Sequence, residues 1–66
     1  MQLKINGELK EFSGELTVYA LLESLGIAGK QVAVELNREV IKKEDYMSVS
    51  LKDGDIVEII HFVGGG

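Results

Sequence analysis

The apolar positions at the start of the chain follow the period of a β-strand. Met1 to Ile5 alternates apolar and polar residues, as in a strand with one buried face. The next residues, Asn6-Gly7, favour the positive φ angles of a tight hairpin turn, so a second strand should follow. A two-residue loop would pair Ile5 with Glu8 and leave Leu9 facing solvent. A three-residue loop with a bulge brings Leu9 beside Ile5, and we predict that bulged hairpin.

The pattern then changes to the period of a helix. Apolar residues recur at i, i+3, i+4 and i+7, at Val18, Leu21, Leu22 and Leu25. Thr17 can cap the start with its hydroxyl, and Gly26 can adopt the left-handed conformation that closes the end. We therefore predict a helix from about Val18 to Leu25, with Ile27 folding back on its last turn.

The rest of the chain contains further extended segments separated by turns. The expected elements are a strand at 32–36, a turn at 37–38, a short segment around 40–41, a brief extended piece at 49–51, a turn at 52–55 and a last strand from Ile56 to Phe62 or Val63. Residues 42–46 are polar and are expected to be irregular. These elements predict an α+β fold, in which a mixed sheet of four to five strands packs on one helix.

Composition narrows the class of protein. The chain has 66 residues, 45% of them apolar, with no cysteine or proline and a net charge of −4. One core of this size must be held by packing alone, because disulfides are impossible and a zinc site lacks thiolate ligands. The negative charge argues against nucleic acid. The apolar runs are far short of the ~20 residues that span a membrane. No leader opens the chain, so we expect a cytoplasmic protein.

The residues needed for independent catalysis are largely missing. His61 is the only imidazole, and no serine lies in a G-x-S-x-G context. We interpret His61 as a surface residue at a strand end. Asp53 and Asp55 flank Gly54, where aspartate is favoured in a turn, and the segment lacks the ligand spacing of a calcium loop. We therefore predict a protein that is not an enzyme and has no metal site.

The three glycines that end the sequence are the first candidate functional feature. Gly64-Gly65-Gly66 has no side chains to pack, which predicts a flexible tail after a single domain over residues 1–63. The carboxylate of Gly66 is ionised at neutral pH and can attack an activated phosphate. Glycine also lets such a tail enter a channel too narrow for any Cβ atom. The alternative is a frayed end or an engineered linker scar.

The outward face of the last strand is the second candidate. If Glu58 points to water, Val57 and Ile59 face the helix, and Ile56, Ile60 and Phe62 share the outer face with Glu58. Exposed Ile60 and Phe62 next to the tail predict a docking patch for a partner. The alternatives are that a loop covers these two residues or that the alternation breaks near the strand end.

Together these features resemble the ThiS/MoaD family of ubiquitin-like β-grasp sulfur carriers. The resemblance covers the whole length and rests on five motifs: Asn6-Gly7, Thr17-Val18 leading to Leu21-Leu22, Asn37, Asp53-Gly54-Asp55 and the final Gly65-Gly66. Gly64 matches only loosely. The molybdopterin carriers are usually longer and often have proline before the terminal glycines. This proline-free chain is therefore more similar to the thiamin-pathway members.

The resemblance implies a protein co-substrate without a bound cofactor. A ThiF-type adenylating enzyme would use ATP and Mg to convert the Gly66 carboxylate to an acyl-adenylate. Sulfur from a donor protein would then displace AMP. A ThiG-type thiazole synthase would use the thiocarboxylate to build the thiazole ring of thiamin. By their position in the family motif, Gly65 and Gly66 are expected to be the tail that is threaded into the partner. We expect the free carrier to be a monomer.

Other functions remain open from the sequence. Within the same chemistry, the chain can serve molybdopterin or another sulfur-transfer pathway, or be a modifier conjugated to lysine side chains. A plain interaction domain is a different class, in which Ile60 and Phe62 bind a partner and the glycines are only a frayed end. Deletion of Gly65 and Gly66 would leave such a domain fully active, which distinguishes it from a carrier.

Overall fold

A computed structural model of the protein describes residues 1–62. The predicted flexible tail at 64–66, and the domain boundary at residue 63, lie outside the described residues. In chain order the elements are β1 (Gln2–Ile5), β2 (Glu8–Glu11), α1 (Val18–Ser24), β3 (Val32–Leu36), β4 (Glu39–Ile41), a 3₁₀ turn (Lys43–Asp45) and β5 (Ile56–His61).

Within residues 1–62 the five strands form one mixed sheet in the order β2-β1-β5-β3-β4. The last strand lies at its centre, parallel to β1 and antiparallel to β3. The predicted α+β fold, a mixed sheet packed on one helix, is confirmed. The strand that precedes the glycines is therefore held on both edges by the rest of the domain.

The first hairpin differs from the prediction. Ile5 is paired with Glu8 and Lys4 with Leu9, so the loop contains only Asn6 and Gly7 and the predicted bulge is wrong. Both loop residues have positive φ angles, 49° and 86°, as a tight two-residue hairpin turn requires. Turn chemistry fixed the register, and as a result Leu9 is 65% exposed.

The helix follows the prediction closely. The Thr17 hydroxyl accepts a hydrogen bond from the Ala20 N–H at 3.0 Å. At the other end Gly26 has φ 77°, its N–H binds the Glu23 carbonyl, and the Ile27 N–H binds the Leu22 carbonyl. This paired closure satisfies the last carbonyls. The helix ends at Ser24, one residue before the predicted end, because Leu25 already serves as its cap.

The segment predicted to be irregular has a structural role. Besides its 3₁₀ turn, it supplies the carbonyl of Tyr46 to the Tyr19 N–H, and the following segment supplies the carbonyl of Val49 to the Val18 N–H. These bonds satisfy N–H groups that the first turn of a helix leaves without partners. Tyr46 is only 7% exposed and joins the core, a contribution that its polar neighbours did not indicate.

The core lies between the helix and the inner face of the sheet. Its members are Leu3, Ile5, Val18, Leu21, Leu22, Val34, Tyr46, Leu51, Val57 and Ile59. The helix contributes three of the four residues of the predicted stripe, and Leu25 is partly buried against them. The helical segments of residues 1–62 fall short of the length and apolar character needed to cross a membrane.

Candidate docking surface on the last strand

The predicted alternation is confirmed from Ile56 to Ile60. The strand β5 ends at His61, short of the predicted end at Phe62 or Val63, and His61 and Phe62 are both exposed. Val57 and Ile59 are buried against the core, whereas Ile56, Ile60 and Phe62 are 47%, 56% and 56% exposed. The Phe62 N–H donates to the carbonyl of Gln31 at 2.9 Å, so the backbone remains tied to the segment before β3 at the last described residue. We call the sheet surface opposite the helix the outer face. The predicted site residues Ile60 and Phe62 lie there, whereas Gly64, Gly65 and Gly66 are outside the described residues.

Asn37 fixes the start of β5. It occupies the β3–β4 turn with φ 51°, and its N–H donates to the Ile56 carbonyl at 2.8 Å. Its side-chain Oδ1 accepts from the Ile56 N–H at 3.0 Å, and its Nδ2 donates to Asp55 Oδ1 at 3.1 Å. A turn residue thus takes both backbone groups of the first residue of β5.

Asn6 fixes the middle of the same strand. Its Nδ2 donates to the Ile59 carbonyl at 3.1 Å, and its Oδ1 accepts from the Ile59 N–H at 2.7 Å. Its own N–H donates to the Val57 carbonyl at 2.9 Å. The amide side chain therefore continues the β1–β5 pairing beyond the end of β1. The sequence placed Asn6 and Asn37 in turns, but no local signal indicated contacts with a strand far along the chain.

The outer face also carries charge. Glu35 on β3 and Glu58 on β5 are directly paired in register, so their side chains leave the sheet side by side. They line a depression of about 530 Å³ together with Asn37, Arg38 and Ile56. We call this the outer depression. It was not part of the sequence prediction, because no pattern within one strand shows which residue will lie opposite.

The residues considered for catalysis have structural or surface positions. His61 is exposed at the end of β5, and Asp53 Oδ1 accepts the Gln2 N–H at 2.7 Å. Asp55 Oδ2 accepts the Lys52 N–H at 2.7 Å, which closes the predicted turn. The turn interpretation of the two aspartates is confirmed. Over residues 1–62, no three His, Cys, Asp or Glu side chains lie together where they could hold a metal ion.

Comparisons by sequence and by structure both match this chain to proteins named ThiS. The family model described as the ThiS family matches residues 3–66. The Bacillus subtilis protein named sulfur carrier protein ThiS is 45% identical over 65 residues, covering 97% of this chain and 98% of the relative. The crystal structure of a thiamine biosynthesis protein (ThiS) from Geobacter metallireducens superposes with a TM-score of 0.84 at 42% identity, covering both chains completely.

A second kind of relative is much longer. A protein of Paramagnetospirillum magneticum named thiazole synthase is 50% identical over all 66 residues. The chain spans only 20% of the length of that relative. The similarity therefore covers one segment of the longer protein.

Proposed function

The chain belongs to the ThiS family, and from that premise we propose that it is a sulfur carrier for thiazole formation in thiamin biosynthesis. The observation that carries the proposal is the family match through Gly66 itself, together with the similarity over nearly its whole length to a Bacillus subtilis protein named sulfur carrier protein ThiS. In this proposal the chain is a co-substrate rather than an enzyme. It acts in the cytoplasm, where ATP is available to its partner.

The chemistry requires the carboxylate of Gly66 to become an electrophile. An oxygen of the carboxylate attacks the α-phosphorus of ATP on a ThiF-type adenylating enzyme, and pyrophosphate leaves. The carbonyl carbon of the resulting acyl-adenylate is then attacked by sulfide, and AMP leaves with the bonding electron pair. The product is a thiocarboxylate on Gly66. The carrier supplies the acyl group and the recognition surface, and the partner supplies Mg-ATP binding and catalysis.

The length of the tail supports a docking role for Ile60 and Phe62. Four residues follow Phe62, and a chain of four residues spans at most about 14 Å. An active site that receives Gly66 must therefore lie within that distance of Phe62. The partner has to approach this end of the outer face closely, and the two exposed apolar side chains there would be covered on binding.

The thiazole synthase similarity supports the next partner. A relative with that name contains a segment 50% identical to this whole chain. Joining a carrier segment to a synthase would raise the local concentration of one at the other. We therefore include a ThiG-type thiazole synthase as the acceptor of sulfur from Gly66, with a sulfur donor protein upstream.

The adenylation step can be tested by exchange of radioactive pyrophosphate into ATP. The 66-residue chain is incubated with a ThiF-type adenylating enzyme and Mg-ATP, beside a matched chain extended by one alanine after Gly66. We expect exchange with the first chain only, because the extension replaces the Gly66 carboxylate by an amide. Equal urea unfolding curves would show that both are folded. Equal exchange by the two chains would contradict the proposal.

A further inference from the structure

The paired glutamates of the outer face are unfavourable in the free protein. Glu35 and Glu58 lie opposite each other on neighbouring strands, where Cβ atoms are about 4.5–5.5 Å apart. Like charges at such positions repel, and this chain already has a net charge of −4. Neutralising the pair should therefore relieve a repulsion within the sheet.

Neither carboxylate takes part in an ion pair within residues 1–62. The ion pairs there join the amino terminus to Glu11 at 3.2 Å and Lys10 to Glu8 at 3.8 Å, both on the β1–β2 hairpin. Arg38 lines the outer depression without forming an ion pair with either glutamate. Counting two glutamates and one arginine, the lining of the depression has a charge of −1.

The shape and composition of the depression suit one long cationic side chain. Among the lining residues, Ile56 supplies an apolar surface for an aliphatic stem, and the two carboxylates supply acceptors for its charged end. The planar guanidinium of arginine donates several hydrogen bonds at once and is less strongly hydrated than an ammonium group. Its N–H groups can bridge both glutamates and remove their repulsion.

Resting on the proposed function, we propose that the outer depression receives an arginine side chain of the adenylating partner. The partner surface that fits is apolar where it covers Ile60 and Phe62 and basic where it meets Glu35 and Glu58. Both features lie on the same face and partly on the same strand, so one partner surface can cover them together. The glutamates select the partner and set the register of the last strand on it.

The test compares variants that remove equal charge. Glu35→Gln/Glu58→Gln neutralises the depression, and Glu15→Gln/Glu44→Gln removes two charges from exposed residues in the loop before α1 and in the 3₁₀ turn. The apparent KM and kcat of the adenylating enzyme for each carrier are measured at low and high salt. We expect the first variant to raise KM about 10-fold, the effect of losing one charged hydrogen bond, with kcat unchanged. The control should remain within about twofold, and the salt dependence should weaken only in the first.

Two further readouts have signs that a merely structural role would not produce. The same Glu35→Gln/Glu58→Gln variant should melt about 1–8 °C higher than the parent, because repulsion in the free sheet is relieved. Arg38→Asn should lower the apparent KM of the adenylating enzyme for the carrier, since it removes a positive charge from the lining of the depression. Asparagine tolerates the positive φ of 73° at this position.

The outcomes separate this inference from the proposed function. If the parent chain is adenylated and the apparent KM for Glu35→Gln/Glu58→Gln equals that for the parent, the inference is overturned and the proposed function is not. An equal rise in KM for both double variants would also overturn the inference, because the effect would then be general electrostatic attraction. A parent chain that is not adenylated at all would refute the proposed function and the inference with it.

Discussion

Asn6 and Asn37 each occupy a hairpin turn with positive φ and also bind the backbone of β5. Asparagine combines these tasks because it tolerates the left-handed region and carries both a donor and an acceptor. The two residues take both backbone groups of Ile59 and Ile56. They therefore hold the strand that carries Ile60 and ends one residue before Phe62.

Substitutions at Asn6 can separate the two tasks. Asn6→Gly retains the turn but leaves partly buried groups of Ile59 without partners, which should lower the free energy of unfolding by about 1–3 kcal/mol. Asn6→Ala also places a Cβ atom in the left-handed region and should lower it by roughly a further 1–2 kcal/mol. Urea unfolding of the three proteins measures both steps. A glycine variant as stable as the parent would show that the side-chain bonds contribute nothing.

In the first hairpin, the pattern of apolar residues predicts the wrong loop length. The turn predicted at Asn6-Gly7 is confirmed, but the longer, bulged loop predicted from the apolar character of Leu9 is wrong. An exposed leucine on an edge strand costs little, whereas two adjacent residues suited to positive φ strongly favour a two-residue loop. The bonds of Asn6 to Ile59 could not be predicted, because they cross 53 residues of chain.

One exposed leucine and one buried leucine give a matched test of the register of the first hairpin. Leu21→Ala empties a fully buried position on α1 and should cost about 2–5 kcal/mol in unfolding free energy. Leu9→Ala removes the same atoms from an exposed position and should change stability by less than about 0.5 kcal/mol. Chemical denaturation measures both. A large loss for Leu9→Ala would favour the bulged hairpin that the structure excludes.

At the scale of elements, β5 joins the core to the outer face on which we propose that a partner docks. Its inner side chains are buried, and its outer apolar side chains remain exposed although the strand is central in the sheet. The alternation was predictable because Glu58 fixes which face meets water. The position of β5 between β1 and β3 was not, since strand order depends on pairings between distant segments.

Loss of the outer apolar side chains should affect binding and not folding. Ile60→Ser/Phe62→Ser should raise the apparent KM of the adenylating enzyme about 10-fold or more, as expected for apolar anchors at an interface. The free energy of unfolding should change by less than about 0.5 kcal/mol for each substitution. Met47→Ser is the control, because Met47 is 72% exposed and lies outside β5. An apparent KM for Ile60→Ser/Phe62→Ser equal to that for Met47→Ser would contradict a docking role for Ile60 and Phe62.

The helix and the segment after β4 contrast in how far sequence predicts them. Thr17 and Gly26 are recognisable caps around a regular apolar stripe, so the bounds of α1 were predicted within one residue. Residues 42–46 have no such pattern and were predicted to be irregular. Their order comes from burial of Tyr46 and from carbonyl groups offered to the start of α1, which are tertiary contacts.

For the whole molecule, folding and chemistry use separate parts of the chain. The core cluster lies within residues 3–59, whereas the proposed reaction occurs at Gly66. The fold and the family were both predicted and are confirmed by the sheet topology and by the match over residues 3–66. The roles of Gly64, Gly65 and Gly66 remain predictions, because reactivity with a partner leaves no packing pattern in the sequence.

Deletion of Gly65 and Gly66 tests that separation. The shortened chain should unfold within about 0.5 kcal/mol of the parent, since glycine has no side chain to bury. It should compete with the parent for the adenylating enzyme through the outer face but accept no sulfur. Competition is measured by inhibition of sulfur transfer to the parent chain. A plain interaction domain would instead retain all its activity after the deletion.

The most direct measurement is the intact mass of the 66-residue chain after incubation with a ThiF-type adenylating enzyme, Mg-ATP and sulfide, followed by fragmentation. The account predicts a mass gain equal to the exchange of one oxygen for one sulfur, located on Gly66. The same reaction with a known carrier is the positive control. An unchanged mass while that carrier is converted, or sulfur located on another residue, would contradict the account.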